Sequence, residues 1–290
     1  MSSLAQLEPA GPILTAGLFA ELGQELLALL KALPAAAWGR ATVCPGWSVK
    51  DVAAHLLDTA LRRLALERDG AALPAADPPI ASYAELVAYL NRLNAEWVVA
   101  ARRLSPALLI ELLEGVEASL DRHLRGLDPF APALFGVAWA GEQESACWFD
   151  VARELTERWL HQAQIRLAVG APPLTAPRFS RPVFETFARA LPHRLATLKA
   201  PAGSALVLEI EGEETYAFTV GPAREAGAER GWQLFRGAAS AASARARLSE
   251  ETAWLLLTKG LPGPEARRRA EAQGDERLLE VLFGTLAVMA

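Results

Sequence analysis

The sequence contains few of the residues that bind metals through sulfur or nitrogen. Only two cysteines occur among 290 residues, Cys44 and Cys147, and they lie far apart without metal-ligand spacing. We therefore expect free, inert thiols in a reducing cytoplasm, not a zinc–cysteine site or a disulfide framework. The four histidines, from which any histidine ligand set must come, are His55, His123, His161 and His193.

An excess of positive charge and long apolar runs are also missing. The net charge is −5 and the pI about 5.6, so no basic surface is expected to bind nucleic acid or an anionic membrane. No apolar run approaches the roughly 20 residues that a membrane span needs. The N-terminal stretch MSSLAQLEPAGPIL lacks the charged start and apolar core of a signal peptide. These features predict a cytoplasmic protein that binds neither nucleic acid nor a membrane. We expect small-molecule partners, and either a monomer or a homodimer.

What is abundant is apolar, helix-forming sequence. Hydrophobic residues make up 52% of the chain, and alanine and leucine favour helix over most of its length. Ser48 and Asp51 form a predicted capping box, and Ser105-Pro106 is typical of a helix start. Apolar periodicity and these start signals predict helices over residues 13–33, 48–67, 82–104, 105–126 and 148–170.

The character of the sequence changes after residue 170. Residues 170–182 hold four prolines and no periodicity, as a linker would. We expect a helix over 183–199, a helix from Ser249 to Lys259 and a helical tail over 275–290. Glu250 and Glu251 suit the positive, N-terminal end of the helix that begins at Ser249. Alternating and β-branched runs predict strands within 204–212, 215–221, 231–237 and 244–248.

Two domains are expected for a chain of 290 residues. The predicted fold class is mainly α, with an N-terminal four-helix bundle followed by a smaller α+β domain. We predict the bundle over residues 1–171, a linker over 172–182 and the α+β domain over 183–290.

The helix predicted over 148–170 carries the most suggestive chemistry. Residues three and four apart stack on a helix surface, so Glu157 and His161 can bind one object together. A helical wheel places His55 of the second helix beside the apolar stripe, on a polar face. Solvated faces with ordinary ion pairs are the simpler interpretation of each helix alone. Two polar faces turned toward a common cleft would instead create a metal site, as helical bundles do.

Two segments resemble a known family. CPGWSVKDVAAHLL, which contains His55, is similar to the Pro-Gly-Trp-Ser/Thr-x-x-Asp-x-x-x-His-Leu segment of the DinB-like metalloenzyme superfamily. More narrowly, it resembles the mycothiol-dependent maleylpyruvate isomerase family, and ELTERWLHQAQIRLAVG resembles that family's Glu-x-x-x-His helix. SEETAWLLLTKG and the closing LAVMA resemble its second, sterol-carrier-like domain. The resemblance covers nearly the whole chain.

The resemblance implies one divalent metal held by His55, Glu157 and His161, with Glu154 as the nearest competitor for the carboxylate role. Two histidines and one carboxylate leave positions open, as in catalytic zinc sites. Zinc is the first choice, although nickel, manganese or iron would accept these ligands. No catalytic or cofactor-binding residue beyond the metal ligands is assigned.

The resemblance also implies an activity. In that family a low-molecular-weight thiol adds to an activated double bond, rotation follows, and elimination returns the isomer; related enzymes make thiol conjugates. The leading hypothesis is therefore a mycothiol-like, thiol-dependent isomerase or S-transferase acting on a small electrophile. The alternatives are a non-catalytic carrier of small apolar ligands and a metal-dependent hydrolase.

Other residues are expected to have ordinary roles. Trp47 should shape the turn before the His55 helix, and Asp51 should cap that helix. His123 and His193 carry no distinguishing pattern. Arg245 and Arg247 share one face of a predicted strand and could bind a carboxylate, although a plain surface role is the simpler interpretation.

Overall fold

The computed structural model describes residues 4–72, 76, 79–198, 203–223 and 231–288. The chain forms two compact units. One unit comprises Leu14–Leu134 and Ala146–Leu174, and the other comprises Met1–Ile13, Phe135–Ser145 and Thr175–Ala290. We call them the helical unit and the sheet unit.

Among its described residues, the helical unit contains five α-helices. They are α1 (Phe19–Ala32), α2 (Val49–Arg63), α3 (Tyr83–Ala101), α4 (Pro106–Arg125) and α5 (Cys147–Val169). Helices α1, α2, α4 and α5 pack on one another as a four-helix bundle, and α3 packs against α2. The bundle expected from the sequence is therefore present, with one additional helix attached to it.

The predicted start signals of α2 and α4 are confirmed. Ser48 accepts a hydrogen bond from the backbone N–H of Asp51, and the Asp51 carboxylate accepts one from the backbone of Ser48. Ser105 caps α4, whose first residue is Pro106. Caps of this kind satisfy N–H groups that have no partner within the helix. They fix where the helix that carries His55 begins.

The sheet unit contains a five-stranded sheet among its described residues. Its strands are β1 (Leu206–Glu211), β2 (Thr215–Pro222), β3 (Trp232–Arg236), β4 (Ala244–Ser249) and β5 (Glu271–Gly274), in the order β3-β2-β1-β4-β5. Strand β1 runs parallel to β4, and the other neighbours are antiparallel. The helices are α6 (Pro177–Ala188), α7 (Ala190–Leu195), α8 (Glu250–Leu257), α9 (Gly263–Arg269) and α10 (Glu276–Phe283). The predicted fold class, a helical bundle followed by an α+β region, is confirmed.

The linker was predicted to end at residue 182, and this boundary is wrong. Residues 177–182 form the first turns of α6. Pro177 occupies the first helical position, where its missing N–H breaks no hydrogen bond. Pro182 lies inside the helix, where the sequence pattern had indicated a break.

Other boundaries differ as well. The helix predicted over 183–199 is divided between α6 and α7, and Lys199 lies outside the described residues. The tail predicted to be helical over 275–290 ends its helix at Phe283, before Gly284, and its last two residues are outside the described part. Helix α9 and strand β5 were not predicted, because residues 263–274 show no apolar alternation.

The first residues of the chain belong to the sheet unit, a division that composition did not predict. Pro9 bridges Phe235 in antiparallel fashion at the outer edge of β3. The backbone N–H of Ala10 donates to Leu234, and that of Arg236 donates to Glu8. The segment 8–10 therefore covers the β3 edge as a short additional strand would. Within the described residues, no helix combines the length and apolarity needed to cross a membrane.

Candidate metal centre

Three potential ligands from two helices meet inside the helical unit. His55 lies on α2, and Glu157 and His161 lie one turn apart on α5. The Nε2 atoms of both imidazoles are 3.1 Å from Oε1 of Glu157. Their ligand atoms lie within 4.8 Å of one another, which is the arrangement of a group that could hold one ion. The structure thus brings together the three residues that the sequence resemblance had singled out.

Both histidines are removed from solvent. His55 is 3% exposed and His161 is 7% exposed, whereas the Glu157 side chain is 26% exposed. The polar face on which the wheel places His55 therefore does not face water. It faces the polar side of α5. The polar faces of the two helices therefore turn toward each other and are not solvated surfaces. Glu157 forms the more accessible side of the cluster.

A tight turn leads into the His55 helix. Gly46 has a φ of +79°, a conformation that glycine adopts without steric strain. The turn places the Trp47 ring 5.0 Å from the His55 ring and 6.5 Å from the His161 ring, centroid to centroid. Trp47 therefore does more than shape the turn, because it also forms an aromatic wall beside both imidazoles.

Without a metal, the cluster holds one negative and one positive charge. Burial opposes protonation of His161, but the Glu157 carboxylate and the Cys44 thiol outweigh it and raise the pKa of His161 to about 10. At His55 burial prevails over the hydrogen bond with Glu157, so the pKa falls to about 4. Burial also opposes ionisation of Glu157, but the two imidazoles lower its pKa well below the ordinary value. At neutral pH the carboxylate is therefore ionised, His161 is protonated and His55 is neutral.

A second layer of polar groups lies behind His161. Nδ1 of His161 is 2.7 Å from Oε1 of Gln164, and the Cys44 thiol donates to the same oxygen at 3.1 Å. Cys44 is a free thiol, as expected, and it lies beside a basic residue, His161, as well as Gln164. Gln164 shares a helical face with Glu157 and His161, a signal that was visible in the sequence.

The competing carboxylate has other partners. Glu154 faces Arg153 and Arg158 at 3.4 Å and 3.5 Å, and it does not belong to the group that could hold an ion. Cys147 is buried at the start of α5. Asp51, the capping residue, also accepts a charged hydrogen bond from Arg102.

The remaining candidates lie elsewhere. His123 contacts Glu67 at 2.8 Å. His193 packs against Gly141, where a Cβ atom would fall 2.5 Å from its Nδ1 atom. In the sheet unit Arg245 and Arg247 both pair with Glu209, at 2.7 Å and 3.1 Å. Their guanidinium groups therefore already bind a carboxylate of the protein.

The sheet unit contains a buried carboxyl group that sequence reasoning did not single out. Glu250 is 6% exposed, and neither of its oxygens has a well-formed hydrogen bond to a described residue. Burial raises the pKa of Glu250 to about 7, and the nearby Ser180 hydroxyl lowers it only in part. Ser180 itself hydrogen-bonds the Tyr216 hydroxyl at 2.9 Å. The sequence had placed Glu250 simply at the positive end of α8.

The donor set of the helical unit fits a divalent transition metal. Two imidazole nitrogens and one carboxylate oxygen are the ligands of many catalytic zinc sites, which keep further positions open for water or substrate. Neutral His55 needs no deprotonation to bind a metal, while His161 must release its Nε2 proton. The cluster is therefore chemically suited to such an ion.

Comparisons with known proteins agree with this fold. A family model described as the mycothiol maleylpyruvate isomerase N-terminal domain matches residues 19–166. A crystal structure of the mycothiol-dependent maleylpyruvate isomerase is similar with a TM-score of 0.52 and 16% identity, covering 94% of this chain and 96% of that chain. A histidine-to-alanine mutant of such an enzyme matches with a TM-score of 0.50 and the same identity and coverage. No curated protein sequence matches significantly.

Proposed function

Because the chain belongs to the mycothiol maleylpyruvate isomerase family, we propose that it is a metal-dependent enzyme that uses a low-molecular-weight thiol. The reaction class is isomerisation of a small electrophilic substrate, or transfer of the thiol sulfur to it. The thiol is mycothiol or a close chemical relative, in keeping with the description of the family. The substrate is a small molecule with a double bond activated toward thiol addition.

The observation that carries the proposal is the convergence of His55, Glu157 and His161. Their ligand atoms lie within 4.8 Å of one another although His55 and Glu157 are 102 positions apart in the chain. A buried cluster of two imidazoles and a carboxylate is expensive to desolvate, and a bound cation would take over from the His161 proton in compensating the charge of the carboxylate. Zinc suits this donor set best; nickel, manganese and iron are the alternatives.

The bound metal would lower the pKa of a thiol or water coordinated to it and so supply a nucleophile near neutral pH. The protein's own residues define the surroundings of that chemistry. Burial of His55 and His161 keeps bulk water from one side, and the more exposed Glu157 marks the side open to a ligand. The Trp47 ring provides an aromatic wall against which an apolar part of a ligand could pack.

A cytoplasmic location is part of the proposal. Cys44 and Cys147 are both free, and Cys44 is partly exposed. Free thiols of this kind persist in a reducing compartment, which would also keep a thiol cosubstrate reduced.

The metal assignment is tested by elemental analysis of purified variants. We expect His55→Ala and His161→Ala to lose stoichiometric zinc, because each removes one of three ligands. His123→Ala is the matched control, since His123 lies in the same unit but pairs with Glu67, and it should keep the metal. Full metal content in both ligand variants would overturn the assignment.

The thiol role is tested on cobalt-substituted protein. Adding mycothiol should produce a sulfur-to-cobalt charge-transfer band, with glutathione and bacillithiol as comparison thiols. No response to any thiol, together with esterase or amidase turnover, would replace the proposal with a metal-dependent hydrolase. No response and no turnover would favour a carrier of small apolar ligands.

A further inference from the structure

The two candidate histidine ligands differ in what lies behind them. Nδ1 of His161 faces Oε1 of Gln164 at 2.7 Å, whereas Nδ1 of His55 is buried and has no hydrogen-bond partner among the described residues. A histidine that binds metal through one nitrogen usually donates its other N–H to a nearby acceptor, which fixes the ring and its tautomer. Of the two imidazoles, His161 has such an acceptor in the described part of the chain.

The acceptor is well defined because two donors converge on it. The Cys44 thiol, 3.1 Å from Oε1 of Gln164, donates to the same oxygen as His161. An amide oxygen can only accept, so this arrangement requires a proton on Nδ1 of His161. The proton that a metal would displace is therefore the one on Nε2, which faces Glu157. Gln164 is itself 4% exposed, so water competes little for its oxygen.

We propose that Gln164 is a positioning residue for the metal centre, and that it holds His161 in the Nδ1–H tautomer with Nε2 directed at the ion. The Cys44 thiol supports this role, because its hydrogen bond holds the Gln164 amide with the oxygen toward the His161 ring. His161 is consequently the pre-oriented anchor of the ligand set, while His55 is held by packing against Trp47 and by its contact with Glu157. This inference rests on the proposed metal centre.

The primary test is the zinc affinity of Gln164→Met, measured by competition with a chelator. Methionine nearly preserves the side-chain volume but cannot accept the hydrogen bond, so we expect a loss of roughly 10–100-fold. Gln164→Glu keeps a hydrogen-bond acceptor at this position and should recover the zinc affinity that Gln164→Met loses. Gln162→Met is the matched control: Gln162 is buried on the same helix but donates to the carbonyl of Leu22 at 3.2 Å, away from the cluster.

A spectroscopic measurement separates positioning from a general loss of packing. In zinc-loaded protein, long-range ¹H–¹⁵N spectra of the histidine rings should show the Nδ1–H tautomer of His161 in the wild type, in Gln164→Glu and in Gln162→Met. In Gln164→Met we expect that signal to broaden or to move toward the other tautomer. Cys44→Ala should weaken zinc binding less than Gln164→Met, since a thiol is a weak donor.

The outcomes distinguish this inference from the metal centre itself. Unchanged zinc affinity and an unchanged His161 tautomer in Gln164→Met would overturn the role of Gln164 while leaving the metal centre intact. An equal loss in Gln162→Met, or no recovery in Gln164→Glu, would also overturn it. Wild-type protein that binds no zinc would instead contradict the proposed function.

Discussion

Glu157 and Glu250 are both largely withdrawn from water, yet their surroundings drive their ionisation in opposite directions. Glu157, between two imidazoles in the helical unit, has a pKa well below the ordinary value. Glu250, in the sheet unit, has no well-formed hydrogen bond among the described residues, and burial raises its pKa to about 7. Burial opposes the charge of both groups, so the partners decide the result.

The comparison shows what suits one partly buried carboxylate to bind a cation and what lets a buried one titrate near neutral pH. A carboxylate that stays ionised inside a protein and faces nitrogen donors is ready for a cation. A carboxyl group that is half protonated near neutral pH, beside the Ser180 and Tyr216 hydroxyls, is a titrating structural element. The four predictions below test each side of this contrast.

The largest expected effect is that of Glu157→Gln. It removes the proposed anionic ligand and the partner of both histidines, so zinc affinity should fall by more than about 100-fold. Glu250→Gln is the matched control, because it replaces the other buried carboxylate and should leave zinc affinity unchanged. Chelator competition on both variants measures the difference. Equal affinity in the wild type and Glu157→Gln would show that Glu157 is not a ligand.

Glu250→Gln should change the pH dependence of stability. The folded-state pKa of about 7 lies above the ordinary value of 4.5, so the folded state binds more protons and wild-type stability falls as pH rises through this range. Glutamine cannot ionise, and we expect the variant to be more stable than the wild type by on the order of 2 kcal/mol at pH 8. Urea denaturation of both proteins between about pH 5 and about pH 8 checks this. Parallel pH profiles would refute it.

Zinc affinity should itself depend on pH. His161, with a pKa of about 10, must lose one proton to bind, whereas His55, with a pKa of about 4, is already neutral. The apparent affinity should therefore rise about tenfold per pH unit above neutrality, with about one proton released per ion. Calorimetry in buffers of different ionisation enthalpy counts the protons. Release of none would contradict the charge state assigned to the cluster.

The smallest effect is expected at Tyr216. Tyr216→Phe removes its 2.9 Å hydrogen bond with Ser180, for a loss of about 1 kcal/mol in the free energy of unfolding. Zinc affinity should not change, because Tyr216 belongs to the sheet unit. Denaturation midpoints of the variant and the wild type provide the measurement, and a stability equal to that of the wild type would show that the hydroxyl pair contributes nothing.

Local signals predicted much of the fold. Apolar, β-branched and aromatic runs predicted β1 to β4, of which β4 shows the two-residue period of a strand, and the Ser48–Asp51 capping box places the start of α2. Strand β5 has no such pattern: it exists because Ala244 pairs with Gly274 across a separation of thirty residues. Proline content indicated a linker where Pro177 in fact starts a helix.

The candidate site was less accessible to sequence reasoning. Periodicity places His55 on a polar face but does not reveal whether that face meets solvent or another helix, and the family resemblance supplied that information. The position of Cys44 beside Gln164 depends on how the predicted turn at Gly46 packs against α5, and that packing has no sequence signature. Glu250 shares its acidic character with Glu251, yet the first is buried and the second is exposed.

The segment that covers the β3 edge has a consequence for biosynthesis. Residues 8–10 leave the ribosome more than two hundred residues before their partners Leu234 and Arg236. Such non-local pairing cannot guide the early steps of folding, so this segment is among the last parts of the sheet unit to form its native hydrogen bonds. Until then β3 presents unpaired backbone groups to other chains. A bulky N-terminal fusion would therefore be expected to delay edge closure and to favour aggregation of newly made protein.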